Sequence, residues 1–227
     1  NSMWTYIVSV YFLKYRKDDN TLEEEPFNKF LDIITAFILS YSFIFPGVNS
    51  LRTPLYPEMI NIVDGIEVTF SDYKISALDL QNILNGFSFT NGKPITKSLL
   101  VWWAYQNDKQ KIISLDIKLE IEHIYAKKRY EKENGLKDKS NLDSLGNKSI
   151  IEKSINIRAS DYKFNDKKIY YRGYTNVKGT KIKGTNFAEL YNLHEKYNDF
   201  KEEDIINRKK EILNSFINFA KNYNILK

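Results

Sequence analysis

The chain has 227 residues and no cysteine. That excludes disulfides, thiolate zinc sites and cysteine nucleophiles, and fits a reducing compartment, so a cytoplasmic location is expected. Only two histidines are present, His123 and His194, which confines imidazole chemistry to two places. The longest apolar run, Ile33 to Phe45, stops at Pro46-Gly47, short of the roughly 20 residues of a membrane span, and reads as a buried helix. Trp4 to Leu13 is also apolar, but no basic segment precedes it and no small-residue cleavage site follows, so it is not read as a signal peptide. Asn1-Ser2-Met3 reads as an added leader before an internal start, and the chain is expected to be the C-terminal part of something longer. No glycine-rich loop of the kind that cradles nucleotide phosphates is present.

What is present is a foldable and unevenly charged chain. Hydrophobic residues make up 42% and aromatics 15%, enough for one domain, or for a helical domain and a small second one. The net charge is +5, with 17 Lys/Arg against 9 Asp/Glu in residues 118–185, 10 against 13 before them and 7 against 7 after them. An A/T-rich genome explains abundant lysine, isoleucine and asparagine, but not their placement. Positive charge gathered around His123 is what a phosphate-facing surface requires, because Lys and Arg bind by displacing condensed counterions.

The first half reads as helical. Phe27, Phe30, Leu31, Ile34, Phe37, Ile38 and Tyr41 recur at helical spacing behind Pro26, a first-turn proline. Pro54 to Val63 gives a second helix closed by Asp64-Gly65, and Ser76-Ala77-Leu78-Asp79 caps a third that ends at Asn85-Gly86. A fourth opens at Thr96 or Ser98 and carries Trp102-Trp103 into the core. Leu115, Ile117, Leu119, Ile121 and His123 then alternate with charged residues, the period of a half-buried strand. Ala126 to Asn141 is a solvated loop or short helix. Ser149 to Ile151 is a second strand, Lys153 to Asp161 a helix, and Phe187 to Tyr197 another. The expected domains are 1–110, helical, and 111–227.

Glu122-His123-Ile124, then Leu145-Gly146-Asn147, then Asn156 nine positions on form the one set of residues suited to phosphodiester hydrolysis. Imidazole deprotonates water near neutral pH without special tuning. Glu122 and the Asn156 carbonyl are hard oxygen donors suited to a single Mg²⁺ or Mn²⁺ rather than to zinc. A lone histidine at a strand end is more often a core residue, Asn147 by itself is a turn and Asn156 a helix-start residue; only the joint spacing is specific. His194 lacks such company and reads as a surface histidine.

The same residues, followed by Phe164 and Lys167 and by Phe200, Ile205-Ile206 and Arg208, resemble the His-Asn-His nucleases of ββα-metal fold. Closer still, they resemble the nuclease domain of GmrSD-type modification-dependent (type IV) restriction enzymes. The likeness is firm over residues 115–222. It implies an α+β chain, mostly α-helical, with a small ββα-metal nuclease subdomain. It further implies His123 as general base, Glu122 and Asn156 as metal ligands, and Asn147 as the asparagine that holds the loop opposite the histidine. Ala126 and Lys148 depart from the pattern, which has Pro and Leu there.

The function expected is a metal-dependent DNA endonuclease leaving 5′-phosphate and 3′-hydroxyl ends. Its expected partner is a nucleotide-hydrolysing recognition domain that reads modified bases. The alternative is a catalytically silent nucleic-acid-binding module of the same fold. Lys127, Lys128, Arg129, Lys148, Arg158, Lys167 and Lys168 are the candidate DNA contacts. Gly173 to Thr185, with Lys178, Lys181 and Lys183, reads as a flexible basic loop, evenly balanced between linker and DNA contact. Tyr162, Phe164, Tyr170 and Tyr171 could stack on bases or fill a core.

Overall fold

The computed structural model describes residues 3–47 and 49–227; Asn1 and Ser2 lie outside them. The architecture is α+β and mostly helical, with ten α-helices and two small two-stranded sheets among the described residues. The chain forms two compact units, one of residues 1–87 with 213–227, the other of residues 88–212.

The first unit contains α1 (Met3–Tyr15), α2 (Glu24–Ile44), α3 (Arg52–Asp64) and α4 (Ala77–Gly86). Of the residues at helical spacing in α2, Phe30, Ile34 and Phe37 are buried and Phe27, Leu31, Ile38 and Tyr41 partly so, with Ile33, Leu39 and Phe43 buried beside them. By length and composition alone α2 could cross a membrane, but its apolar face has partners inside the unit. Tyr11 stacks on Phe30 at 4.0 Å, and Phe37 lies flat on Phe70 at 3.7 Å. Ser76 caps α4 by accepting from Asp79 N at 3.2 Å, and Gly65, at φ +76, closes α3. The C-terminus joins this unit through a parallel bridge, Ile75 N to Ile225 O at 3.1 Å and Lys227 N to Ile75 O at 2.9 Å.

The second unit starts at 88, whereas the change from helical to alternating spacing after Asn107-Asp108 suggested a boundary near 110. The reason is α5 (Pro94–Ala104): the Trp103 indole donates to Glu189, and Lys97 Nζ donates to Leu119 O at 2.7 Å. The remaining elements are β1 (Leu119–His123), α6 (Lys127–Glu133), β2 (Lys148–Glu152), α7 (Lys153–Ala159), α8 (Phe164–Arg172), β3 (Gly173–Thr175), β4 (Lys181–Lys183), α9 (Ala188–Lys196) and the first half of α10 (Glu202–Asn222). Two expectations are corrected. The strand is shorter than its alternation suggested, because Leu115, at its proposed start, is fully exposed and has no sheet partner. The segment Gly173 to Thr185 is a β-hairpin, closed by β3–β4 pairing, and not a flexible loop.

β1 and β2 pair antiparallel without a bulge, Glu122 opposite Ser149 and His123 opposite Lys148. The core beneath them is built on Ile124, Ile151, Ile155, Phe164, Leu190 and Phe200.

Candidate active site

The loop between β1 and β2 is anchored by Asn147. Its Oδ1 accepts from Tyr125 N at 2.6 Å, and its Nδ2 donates to Tyr125 O at 3.1 Å and Leu142 O at 3.0 Å. Fully buried, it satisfies three backbone groups. Asn147 therefore ties together the two ends of the connection between β1 and β2, just after the histidine strand.

The neighbouring glycine is fixed by packing. A Cβ on Gly146 would collide with Ile205 O and stand 2.8 Å from Lys209 N, so the turn lies directly on the α10 backbone. Arg208, from the same helix, donates to Gly146 O at 2.9 Å and Lys148 O at 2.8 Å. It also pairs with Glu189, whose other oxygen accepts from Ser149 Oγ at 2.7 Å. This buried network gives every charged member a partner, the condition under which burial of charge is tolerable, and it fixes the start of β2.

At the end of β1, His123 faces Asp143, Lys127 and Lys148. Its Nε2 is buried without a hydrogen-bond partner, 3.6 Å from Asp143 Oδ1, too long for a hydrogen bond. Nδ1 is neither buried nor bonded. The inward nitrogen thus looks onto a carboxylate and is the natural place for the ring proton, leaving Nδ1 as the outward base. Burial, then Lys148 and Lys127, lower the imidazole pKa to about 4, against the pull of Asp143. His123 is neutral at pH 7.

Asp143 is the hub of this cluster. Its Oδ1 lies 2.9 Å from Lys148 Nζ and 3.7 Å from Lys127 Nζ. Burial pushes its carboxyl up, but Lys148, Lys127 and His123 outweigh burial and hold it below the usual range. Lys148, with no exposed side-chain surface, also donates to Asn91 Oδ1 at 2.7 Å. Its own pKa is lowered by burial, partly restored by Asp143. Asp143 was missed in the sequence because nothing in its surroundings marks it; its partners are set by tertiary contact.

Glu122 and Asn156 were expected to hold one cation, and the structure gives them different partners. Glu122 points away from His123, as the next residue of an unbulged strand must. Its buried Oε1 accepts from Lys167 Nζ at 2.6 Å and Tyr171 OH at 2.5 Å. Burial raises its pKa, Lys167 and Tyr171 lower it, and the Tyr171 hydroxyl is pushed well above its ordinary value. Asn156 donates to Glu120 Oε2 at 2.8 Å. Among the described residues no three His, Cys, Asp or Glu side chains converge. As folded, the donor set does not fit a Mg²⁺ or Mn²⁺ ion, because an ammonium already occupies Glu122.

Several of the candidate DNA contacts have partners inside the protein. Lys167 is buried on Glu122 and on His123 O at 2.6 Å, and Lys148 is buried on Asp143. Arg129 makes a two-pronged pair with Asp199 at 2.7 and 2.8 Å, and Lys168 donates to Tyr197 O at 2.7 Å. Lys127 and Lys128 remain exposed, Lys128 beside Asp161, and Arg158 donates to Lys183 O at 3.3 Å. His194 lies stacked on Tyr191 at 5.5 Å, far in role from this cluster. Of the aromatics, Phe164 and Tyr171 are core, whereas Tyr162 is exposed and Tyr170 partly so.

The end of β1 thus brings together an imidazole, a carboxylate and two lysine side chains. The chain belongs to the family of GmrSD restriction endonuclease C-terminal domains, whose model matches residues 75–215, more than half of it. The match reaches further toward the N-terminus than the resemblance did, taking in α4 and α5. No curated protein and no solved structure matches the chain. Membership of that family makes it a nuclease module of the restriction-endonuclease type, with DNA as the implied substrate.

Proposed function

We propose that this chain is a DNA endonuclease module that hydrolyses phosphodiesters at His123. The observation that carries the proposal is the histidine ring itself, with Nε2 turned inward to Asp143 and Nδ1 free at the surface, flanked by Lys127 and Lys148.

Nδ1 accepts a proton from water, which attacks phosphorus; the P–O3′ bond breaks and the departing 3′ oxygen takes a proton from solvent, leaving 5′-phosphate and 3′-hydroxyl ends. An imidazole with a pKa near 4 is a weak base in the free protein. A phosphodiester anion beside Lys127 and Lys148 offsets the field that depresses it, so the base strengthens when substrate is bound. Asp143, 3.6 Å from Nε2, stabilises through its charge the imidazolium that forms. Lys127, exposed at the rim, meets the phosphate, and buried Lys148 acts through its field.

A divalent cation can reach Glu122 only by opening its pair with Lys167. Chelator-sensitive cleavage would therefore mean that this pair opens during the reaction. The partner recognition domain and the targeting of modified bases belong to the same reading and rest on the family likeness, while the cytoplasmic location rests on the lack of cysteine. His123→Ala tests the proposal on plasmid DNA: it should lower cleavage by about 10²- to 10⁴-fold with little change in DNA affinity. Undiminished cleavage would reject His123 as the base, and absence of cleavage by the unaltered protein would favour the silent binding module.

A further inference from the structure

Residues 167–188 carry six Lys/Arg and no Asp or Glu, and the hairpin β3–β4 lies at their centre. Cross-strand pairing puts Thr175 opposite Lys181 and Gly173 opposite Lys183, so both lysines lie on one face. The other face carries Tyr174 opposite Ile182. Lys178, Lys181 and Lys183 are exposed, and among the described residues none has a carboxylate within ion-pair distance. In the same unit Lys127, Lys128, Lys148, Lys163 and Lys167 each have one. Cations left without counterions on a projecting ribbon are the ones available to a polyanion.

The ribbon is also held rigid. Asn176 Oδ1 accepts from Lys178 N at 3.0 Å and Thr180 N at 2.9 Å, and Gly179, at φ +77, completes the tip. Fully exposed Val177 sits at that tip. At the root, Gly173 has φ +87 and a Cβ there would stand 2.7 Å from Ile182 O, so the strands meet too closely for a side chain. Tyr174 packs edge-on against Tyr170 at 5.6 Å, and Tyr170 stacks on Tyr162 at 5.9 Å. Glu152, the last residue of β2, accepts from Thr185 Oγ1 and Asn186 N, each at 2.7 Å. The arm is therefore tied to the strand paired with that of His123.

We propose that this hairpin is a DNA-binding arm that enters the major groove of duplex DNA, its Lys178, Lys181 and Lys183 on the flanking phosphates. The inference rests on the reading of the chain as a DNA endonuclease and adds the element that grips the duplex. The dimensions agree: two strands about 4.8 Å apart, extending about 13 Å from Gly173 to Val177, suit a groove about 12 Å wide and 8.5 Å deep. Tyr174 and Ile182 brace the arm from behind, leaving the lysine face open.

The test is the salt dependence of binding to a 30-bp duplex, measured by fluorescence anisotropy in the His123→Ala background so that cleavage does not intervene. Every phosphate that a lysine ceases to neutralise lowers the log–log slope by about 0.9, so the triple variant Lys178→Gln/Lys181→Gln/Lys183→Gln should lower it by about 2.7. The triple Lys109→Gln/Lys111→Gln/Lys118→Gln removes the same charge from an exposed segment elsewhere and should leave the slope unchanged. Equal decreases for the two triples, or no decrease for the hairpin triple with its circular dichroism intact, would overturn the arm. An equal decrease on a single strand of the same length would overturn groove entry. Plasmid cleavage by the unaltered protein is read separately. A hairpin-dependent slope without cleavage would refute the endonuclease reading alone, and cleavage without a hairpin-dependent slope would refute the arm alone.

Discussion

Lys167→Met isolates what Glu122 does. The substitution keeps most of the side-chain volume and removes the ammonium that donates to Glu122 Oε1 and His123 O, each at 2.6 Å. Glu122 is left with the Tyr171 hydroxyl as its remaining side-chain donor. Both members of the pair are buried, and breaking such a pair by removing one partner costs about 3–5 kcal/mol. In a unit of this size that is a fall in Tm of about 10–20 °C. The loss should also depend on pH in a definite direction. Without Lys167, burial is opposed mainly by the Tyr171 hydrogen bond and raises the folded pKa further above the unfolded value. A raised folded pKa gives stability that is present below the unfolded value and lost as pH rises through the folded one. The deficit is therefore largest near neutral pH and shrinks as Glu122 becomes protonated in acid. Glu122→Gln/Lys167→Met, which removes both charges, should recover more than half of the loss. Urea unfolding of the three proteins between pH 5 and 8 measures all of this. A single variant within about 1 kcal/mol of the unaltered protein, with no pH dependence, would show that Lys167 does not hold Glu122 and would return Glu122 to the role of a free metal ligand.

Burial and the two lysines lower His123 to about 4, so between pH 6.5 and 4 the unfolded chain binds a proton that the folded one does not. Stability should fall by about 3 kcal/mol as pH drops through that window, and the difference between unaltered protein and His123→Gln isolates it; parallel curves would refute the depressed pKa. Lys127→Ala removes one of the fields on the imidazole, so the acid limb of kcat/KM for plasmid cleavage should move to higher pH; an unmoved limb would dismiss the electrostatic role of Lys127. Gly146→Ala forces a Cβ onto the α10 backbone and should cost about 1–3 kcal/mol, which chemical denaturation would measure; a neutral effect would refute the close approach. Asn147→Ala strands Tyr125 N, Tyr125 O and Leu142 O and should destabilise by about 2–3 kcal/mol or more, with loss of cleavage as the loop carrying Asp143 loosens; unchanged stability would refute the anchor.

Local rules sufficed where a residue's role depends on its neighbours in sequence. The apolar spacing of Phe30, Ile34 and Phe37 gave the buried face of α2, Ser76 and Gly65 gave helix ends, and Gly146-Asn147 gave the turn into β2. The mostly helical α+β class follows from those elements, and the family from the spacing of Glu122-His123, Leu145-Gly146-Asn147 and Asn156. The alternation of β1 already set Glu122 and His123 on opposite faces unless a bulge intervened, and none does. Tertiary structure alone decided what stands across each face. Lys167 comes 45 residues after Glu122 to neutralise it, Asp143 comes from a turn before β2 to face His123, and Arg208 reaches from α10 to the Leu145-Gly146-Asn147 turn. It also turned Gly173 to Thr185 from an apparent linker into a braced ribbon, through Tyr170 and Glu152. Periodicity reports which side of an element is buried. It carries no record of which distant charge a buried carboxylate will meet, and that encounter separates a metal ligand from a structural ion pair.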